Sequence, residues 1–226
     1  MERVLVVLAV CAVAAVVALV AARRTMRRPV AAITRLADDT SVESDGAVRS
    51  IQAADLVLPE PELDAIWSPM HLERLARTYW RFLTRVTLGL IRIAYTPSER
   101  MIVLVTRPFV LLRFRAPEYE LDGARGLVRW RIRSGLLVSR HGHDRDGYLQ
   151  IEVSRGSHPS PGEVAVHVEV TVANFYPSIA STVGRPIYKA TQSRIHVIVT
   201  NSFLRSLARL DLARSRVRQF EFADQP

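Results

Sequence analysis

The spacing of apolar positions changes repeatedly along this chain, and each change predicts a new element. An unbroken apolar run from Val4 to Ala22 comes first and ends in Arg23, Arg24, Arg27 and Arg28. About 19 residues at 1.5 Å each make a helix of roughly 28 Å, close to the thickness of a bilayer's hydrocarbon core. Farther on, Ile51 to Leu58 reads as a strand, followed by Pro59-Glu60-Pro61 and a short helical turn through Leu63, Ile66 and Trp67. Ser68 then opens a firmer helix: it is a good N-cap, Pro69 suits the first turn, and Leu72, Leu75, Ala76, Tyr79, Phe82, Leu83 and Val86 recur at helical spacing.

After Leu90 the period drops to about 2, and turn signals such as Asp122-Gly123 and Asp144 to Gly147 divide an antiparallel meander. Val128, Trp130 and Ile132 point one way while Arg129, Arg131 and Arg133 point the other; Leu149, Ile151 and Val153 likewise oppose Tyr148, Gln150 and Glu152. The valines from Val164 to Val172 share a face opposite Ala165, His167, Glu169 and Thr171, the pattern of a sheet covered on one side only. The arginine face is therefore read as solvated, with Glu152 and Glu169 available for cross-strand pairs. From Arg185 to Leu212 the apolar residues return to helical spacing and predict a long helix, although Ile195 to Thr200 is β-branched enough to form a strand instead.

Together these elements predict an α+β chain in four parts. Residues 1–28 form a transmembrane anchor with a basic flank, and 29–50 a flexible linker through the polar stretch Asp38 to Gly46. Residues 51–212 form an antiparallel β-sheet domain packed on a long C-terminal helix, and 213–226 a polar tail. The flanks favour an uncleaved anchor over a signal peptide, because Glu2 offsets Arg3 before the run and four arginines follow it. That asymmetry predicts a single-pass protein of the cell membrane with its N-terminus outside and its domain cytoplasmic.

A net charge of +9 suits an anionic partner, and the anchor makes the membrane surface a nearer one than nucleic acid. The strand arginines are not interleaved with aromatics as a single-strand stacking platform requires, so no nucleic acid is expected. The sole cysteine, Cys11, lies in the apolar run, which excludes an intramolecular disulfide and a cysteine-based metal site.

Catalytic signatures such as a glycine-rich nucleotide loop or a His-Glu-x-x-His pair are missing, so no catalytic residue, metal or cofactor is predicted. His141-Gly142-His143-Asp144 holds metal-ligand residue types but reads as a hairpin tip without a second cluster. Another segment has more chemical content: a strand with Leu112 and Phe114 continues, by alternation, to Glu118 and Glu120 on the same face. Buried, those carboxylates would have raised pKa values suited to acid–base work; in water they would pair with Arg113, Arg115 or Arg131.

A strand, a helical segment with Trp67, an antiparallel meander and a long terminal helix make up an order that resembles START-like proteins, the helix-grip or SRPBCC superfamily of polyketide cyclase-like and lipid-binding domains. The residues that carry the resemblance run from Leu58-Pro59-Glu60-Pro61 through Leu63 to Ile66-Trp67, similar to the proline-acid-tryptophan entry to that superfamily's first helix. The stretch from Met70 to Val86 departs from the pattern in reading as one long helix. The resemblance implies a curved sheet wrapped around the C-terminal helix and a cavity for a lipid or other apolar molecule, with Trp67, Phe114, Trp130 and Tyr188 as lining residues and Glu118 as a polar group. The expected function is a membrane-tethered binding domain for an apolar or lipid-like molecule. Two alternatives are an interaction scaffold docking an acidic partner through the arginine face, and a cyclase- or hydrolase-like enzyme with Glu118 or His167 as base.

Overall fold

The computed structural model describes residues 31–96, 98–105, 109–139, 142–143, 145–178, 203–205 and 207. Their strands are β1 (Ala32–Val42), β2 (Val48–Pro59), β3 (Ile91–Tyr95), β4 (Glu99–Leu104), β5 (Val110–Arg115), β6 (Glu118–Leu121), β7 (Arg125–Ser134), β8 (Tyr148–Arg155) and β9 (Glu163–Phe175). They form one antiparallel sheet in the order β1-β2-β9-β8-β7-β5-β4-β3, with β6 lying beside β7 as an extension of β5. Between β2 and β3 the chain makes α1 (Glu60–Ile66) and α2 (Pro69–Val86). Because β2 and β3 stand far apart in the sheet, these two helices carry the chain across its inner face.

The helix boundaries follow local chemistry. Ser68 has extended backbone and its side chain accepts the His71 N–H, while Pro69 fills the first turn, where a missing N–H costs nothing. Leu63 of α1 and Leu72, Leu75, Ala76, Tyr79 and Trp80 of α2 are buried against the sheet. The inner face they meet is the predicted one: Val164, Val166, Val168 and Val170 from β9, Leu149 and Ile151 from β8, and Val128, Trp130 and Ile132 from β7 are all buried. Each such valine or leucine contributes about 1.5–3 kcal/mol of transfer free energy.

Residues 29–50 differ from the flexible linker expected of them. Most of this stretch is β1, paired with β2 from Ala32 opposite Val57 to Val42 opposite Val48. Its turn is closed by the Asp45 side chain, which accepts the Ala47 N–H at 3.0 Å, with Gly46 at φ +89°. An edge strand needs no buried row to exist, since the ladder to its neighbour holds it, and its charged residues discourage pairing with another chain. The sheet therefore begins at Ala32 rather than at Ile51.

The outer face carries the arginines, held by acids. Arg125 makes two 2.8 Å bonds to Glu152, Arg131 donates to Glu118 at 2.7 Å, and Arg133 and Arg113 share Glu99 at 2.6 and 3.2 Å. Glu169 is met by the Thr171 hydroxyl at 2.5 Å rather than by an arginine.

Of the predicted C-terminal helix, residues 203–205 and 207 are described and are helical. Phe203 packs edge-on to Tyr79 with ring centroids 5.2 Å apart, and Leu204 and Leu207 are buried with it. The rest of that element, including Tyr188 and the ambiguous stretch 195–200, lies outside the described residues, as do the predicted anchor and the polar tail. Among the described residues no helix is long and apolar enough to cross a membrane.

Candidate functional site

One end of the inner face forms a half-open cavity of about 80 Å³. Its floor is the sheet: Leu56 and Leu58 of β2, Val166 and Val168 of β9, Val153 of β8 and Gly126 of β7. Its roof is the helical layer, with Leu63, Ile66 and Trp67 at one side and Leu72 and Leu75 at the other. Ala31, Leu121 and Leu207 complete the described walls. The floor is apolar because the alternation of three neighbouring strands is in phase: Ala54 stands opposite Val168, and Val153 opposite Val168 from the other side. Gly126 keeps the space open, since a Cβ there would lie 3.0 Å from Leu121 Cδ1 and 3.5 Å from Leu72 Cδ1.

Two polar side chains stand on these walls, Ser68 and His71, with Ser68 Oγ 2.8 Å from His71 Nδ1. Burial holds the His71 imidazole below its ordinary pKa, and the nearby Arg74 charge adds to the effect. At the rim, the Trp67 indole N–H donates to the Asp122 carbonyl at 2.9 Å, which pins the ring against the β6–β7 turn. That turn is tight because the Asp122 carboxylate accepts the N–H groups of Ala124 and Arg125 at 2.8 and 2.7 Å, bonds that lower its pKa. Beside Trp67 lies Arg155, with Cζ 4.5 Å from the ring centroid and Nη2 2.8 Å from Asp64 Oδ1.

Of the five residues proposed from sequence, Trp67 is on the cavity wall. Phe114 and Trp130 are elsewhere in the core, flanking Trp80 at centroid distances of 5.7 and 4.9 Å. Both are buried among the rings of the core, and neither is among the residues that line the cavity. Glu118 lies on the outer face against Arg131, with 43% of its side chain exposed. The cause is a register step: Phe114 is opposite Ile132 but Glu118 is opposite Arg129, so four residues of one chain segment span three of the other. One extra residue around Ala116-Pro117 turns every later side chain to the other face. Tyr188 lies outside the described residues. His167, the other candidate base, is also on the outer face, 2.6 Å from Asp55. Neither is placed to act on a molecule in the cavity.

His71 and Arg155 were not singled out from sequence. His71 gives no signal beyond following the N-cap. Arg155 does give one, since it continues the row Leu149, Ile151, Val153 at strand spacing and puts a charge where a fourth apolar residue is due. No group of three or more metal-ligating residues is present among the described residues; His141 and Asp144 lie outside them.

No protein-family model matches the chain, and no curated protein is similar to it in sequence. Solved structures it is similar to include human STARD10, at 7% identity and TM-score 0.32, covering 83% of this chain and 76% of that one. Two others are an uncharacterized protein from Rhizobium leguminosarum, at 12% identity and TM-score 0.23 over 69% of this chain and 95% of that one, and CalU16 from Micromonospora echinospora, at 9% and 0.24 over 78% and 98%. At these scores no site residue or activity transfers from them. The fold is described by its own topology: a mostly antiparallel sheet with two helices between β2 and β3 among the described residues.

Proposed function

We propose that this chain is a helix-grip-like binding module that holds an apolar or lipid-like molecule between α1, α2 and the sheet. The observation that carries the reading is the cavity itself. Its described walls are almost wholly aliphatic, and its two polar wall side chains, Ser68 and His71, bond to each other. The apolar run from Val4 to Ala22 extends the proposal to location: a single-pass anchor in the cell membrane with the domain on the cytoplasmic side. The scaffold reading loses weight because Arg113, Arg125, Arg131 and Arg133 already have carboxylate partners within the domain. The enzymatic reading loses both of its candidate bases to the outer face.

The test is native mass spectrometry of the full chain extracted from membranes and released from its micelle, with extraction and identification of whatever remains bound. A defined apolar species at one per chain is expected, and its loss on filling the cavity with Val168→Phe. An apo mass that persists after incubation with membrane extract would overturn the reading. Truncation at Ala47 is unsuitable for this experiment because it removes β1 from the sheet.

A further inference from the structure

We propose that the tip of the domain where α2 ends docks on an anionic lipid bilayer, with Leu88, Leu90, Val105, Phe109 and Leu136 entering the interface and Arg85 and Arg92 meeting lipid phosphates. This does not depend on what the cavity binds, and it adds a second membrane contact to the proposed anchor. Ser68 and His71 at the start of α2 wall the cavity, and the 18 residues of the helix place the tip about 27 Å away. Of the large hydrophobic side chains exposed among the described residues, Leu36, Tyr95 and Tyr119 stand elsewhere, and the other five stand here at 42% to 62% exposure.

Backbone hydrogen bonds draw the five together from three separate segments. The Val105 N–H donates to the Leu90 carbonyl at 2.6 Å, the Leu104 N–H to the Phe109 carbonyl at 2.9 Å and the Leu136 N–H to the Val110 carbonyl at 3.0 Å. The ends of α2, β4, β5 and β7 thus lie side by side. A single exposed leucine needs no explanation, whereas a row of them on adjoining turns marks a surface that meets something apolar. Two of the five are also held in costly backbone: Leu88 has φ +53° and Val105 φ +59°, the left-handed region where leucine is uncommon and a β-branched residue is an outlier. Strain of this kind gathers where a surface has a task.

Charge selects the occupant. From Thr84 to Ser98, from Arg100 to Pro117 and from Gly123 to His143 the sequence holds no aspartate or glutamate. Arg85 and Arg92 are exposed, and neither makes an ion pair among the described residues; Arg92 Nε donates to the Gly89 carbonyl at 3.1 Å. Farther along β5 and β7, Arg113 and Arg133 share the single carboxylate of Glu99, which leaves that group one positive charge in excess. Apolar turns bordered by uncompensated arginines match a bilayer interface, where the acyl boundary takes the side chains and anionic phosphates take the guanidiniums. An apolar protein surface would take the leucines and leave the arginines unmatched. Since the described chain enters the fold at Ala31, a wall of the cavity, a docked tip lays α2 along the membrane.

The experiment uses the full chain with Cys11→Ser and one new cysteine carrying an environment-sensitive fluorophore: Phe109→Cys, Leu136→Cys or, as a control on the exposed edge strand, Asp39→Cys. Each is mixed with phosphatidylcholine vesicles with or without about one third phosphatidylglycerol, in which lipids brominated near the head group quench any label that enters the interface. Quenching at positions 109 and 136 in the anionic vesicles is expected to be at least about threefold that at position 39, and weaker without phosphatidylglycerol. Arg85→Gln with Arg92→Gln is expected to lower the ratio of quenched to unquenched label about fivefold for each arginine removed. Quenching at 109 and 136 no greater than at 39, or equal in the two kinds of vesicle, would overturn the proposal. So would a label shielded from water yet unquenched by brominated lipid, the sign that protein covers the tip. A label on Cys11 of the otherwise unchanged chain reports anchor insertion separately, so a failed anchor and a failed tip are told apart.

Discussion

Strand β7 crosses two halves of one core that are built in opposite ways. At Trp130 the inner face is packed solid: Trp80 meets Trp130 edge-on at 4.9 Å and Tyr79 at 5.1 Å, and Tyr79 meets Phe203 at 5.2 Å. Four residues earlier on the same strand, Gly126 supplies no side chain, and the surrounding leucines and valines leave the cavity open. The same helix, α2, roofs both halves. Interlocked rings give the domain its stability and a fixed α2, and against that fixed roof the aliphatic half can leave volume unfilled without collapsing. Tight packing and open volume are thus allotted to different stretches of the same elements.

The contrast predicts where substitutions hurt. Trp130→Ala should be the most damaging single change in the domain, because it opens a void among rings that cannot close around it; a loss of about 3–5 kcal/mol is expected, read as a lowered midpoint in denaturant unfolding. A destabilisation below about 1 kcal/mol would mean the aromatic half is not the rigid one. Enlarging a valine comes next. Val128→Phe, at a fully buried site next to Trp130 on the same face, should cost about 1–3 kcal/mol through overpacking, whereas Val168→Phe, on the cavity wall, should cost under about 1 kcal/mol. Equal costs at the two sites would erase the distinction between the halves.

The third effect is smaller and depends on pH. Burial holds the folded-state pKa of His71 below its ordinary 6.5, so the unfolded chain binds more protons than the folded one as pH falls through that value. His71 is therefore compatible with the fold above pH 6.5 and weakens it progressively below. Wild type should lose stability relative to His71→Asn between about pH 7.5 and 5, measured as the difference in denaturant midpoints. A difference that stays flat across that window would place His71 in water rather than at the cavity.

Elements with a strong period were legible in the sequence, and features set by register were not. Helix α2 was readable because Ser68, Pro69 and the Leu72 to Val86 series agree, and β7, β8 and β9 because each alternates cleanly. Strand β1 was unreadable because this edge strand packs only Ile33 and Val42 on the core and so has no apolar period to show, although Asp45-Gly46 marked its turn. The site divides the same way. Trp67 could be named from its place at the end of α1, but extending the face of Phe114 to Glu118 assumed an unbroken strand, and the extra residue near Pro117 reverses it. The same extrapolation along β8, where the ladder with β9 is regular from Tyr148 to Arg155, points to Arg155 on the inner face. Alternation transfers a side chain's direction only as far as the register holds.

Ala31 has a consequence for how the domain is sited. It is buried to 2% exposure and forms part of the cavity wall, so the chain enters the described fold at the cavity rather than at some distant corner. Arg28, the last of the basic cluster, is three residues before it, a reach of about 10 Å at full extension. Under the membrane-anchored reading proposed above, the surface that captures those arginines lies within about that distance of the cavity, a gap shorter than a long-chain lipid.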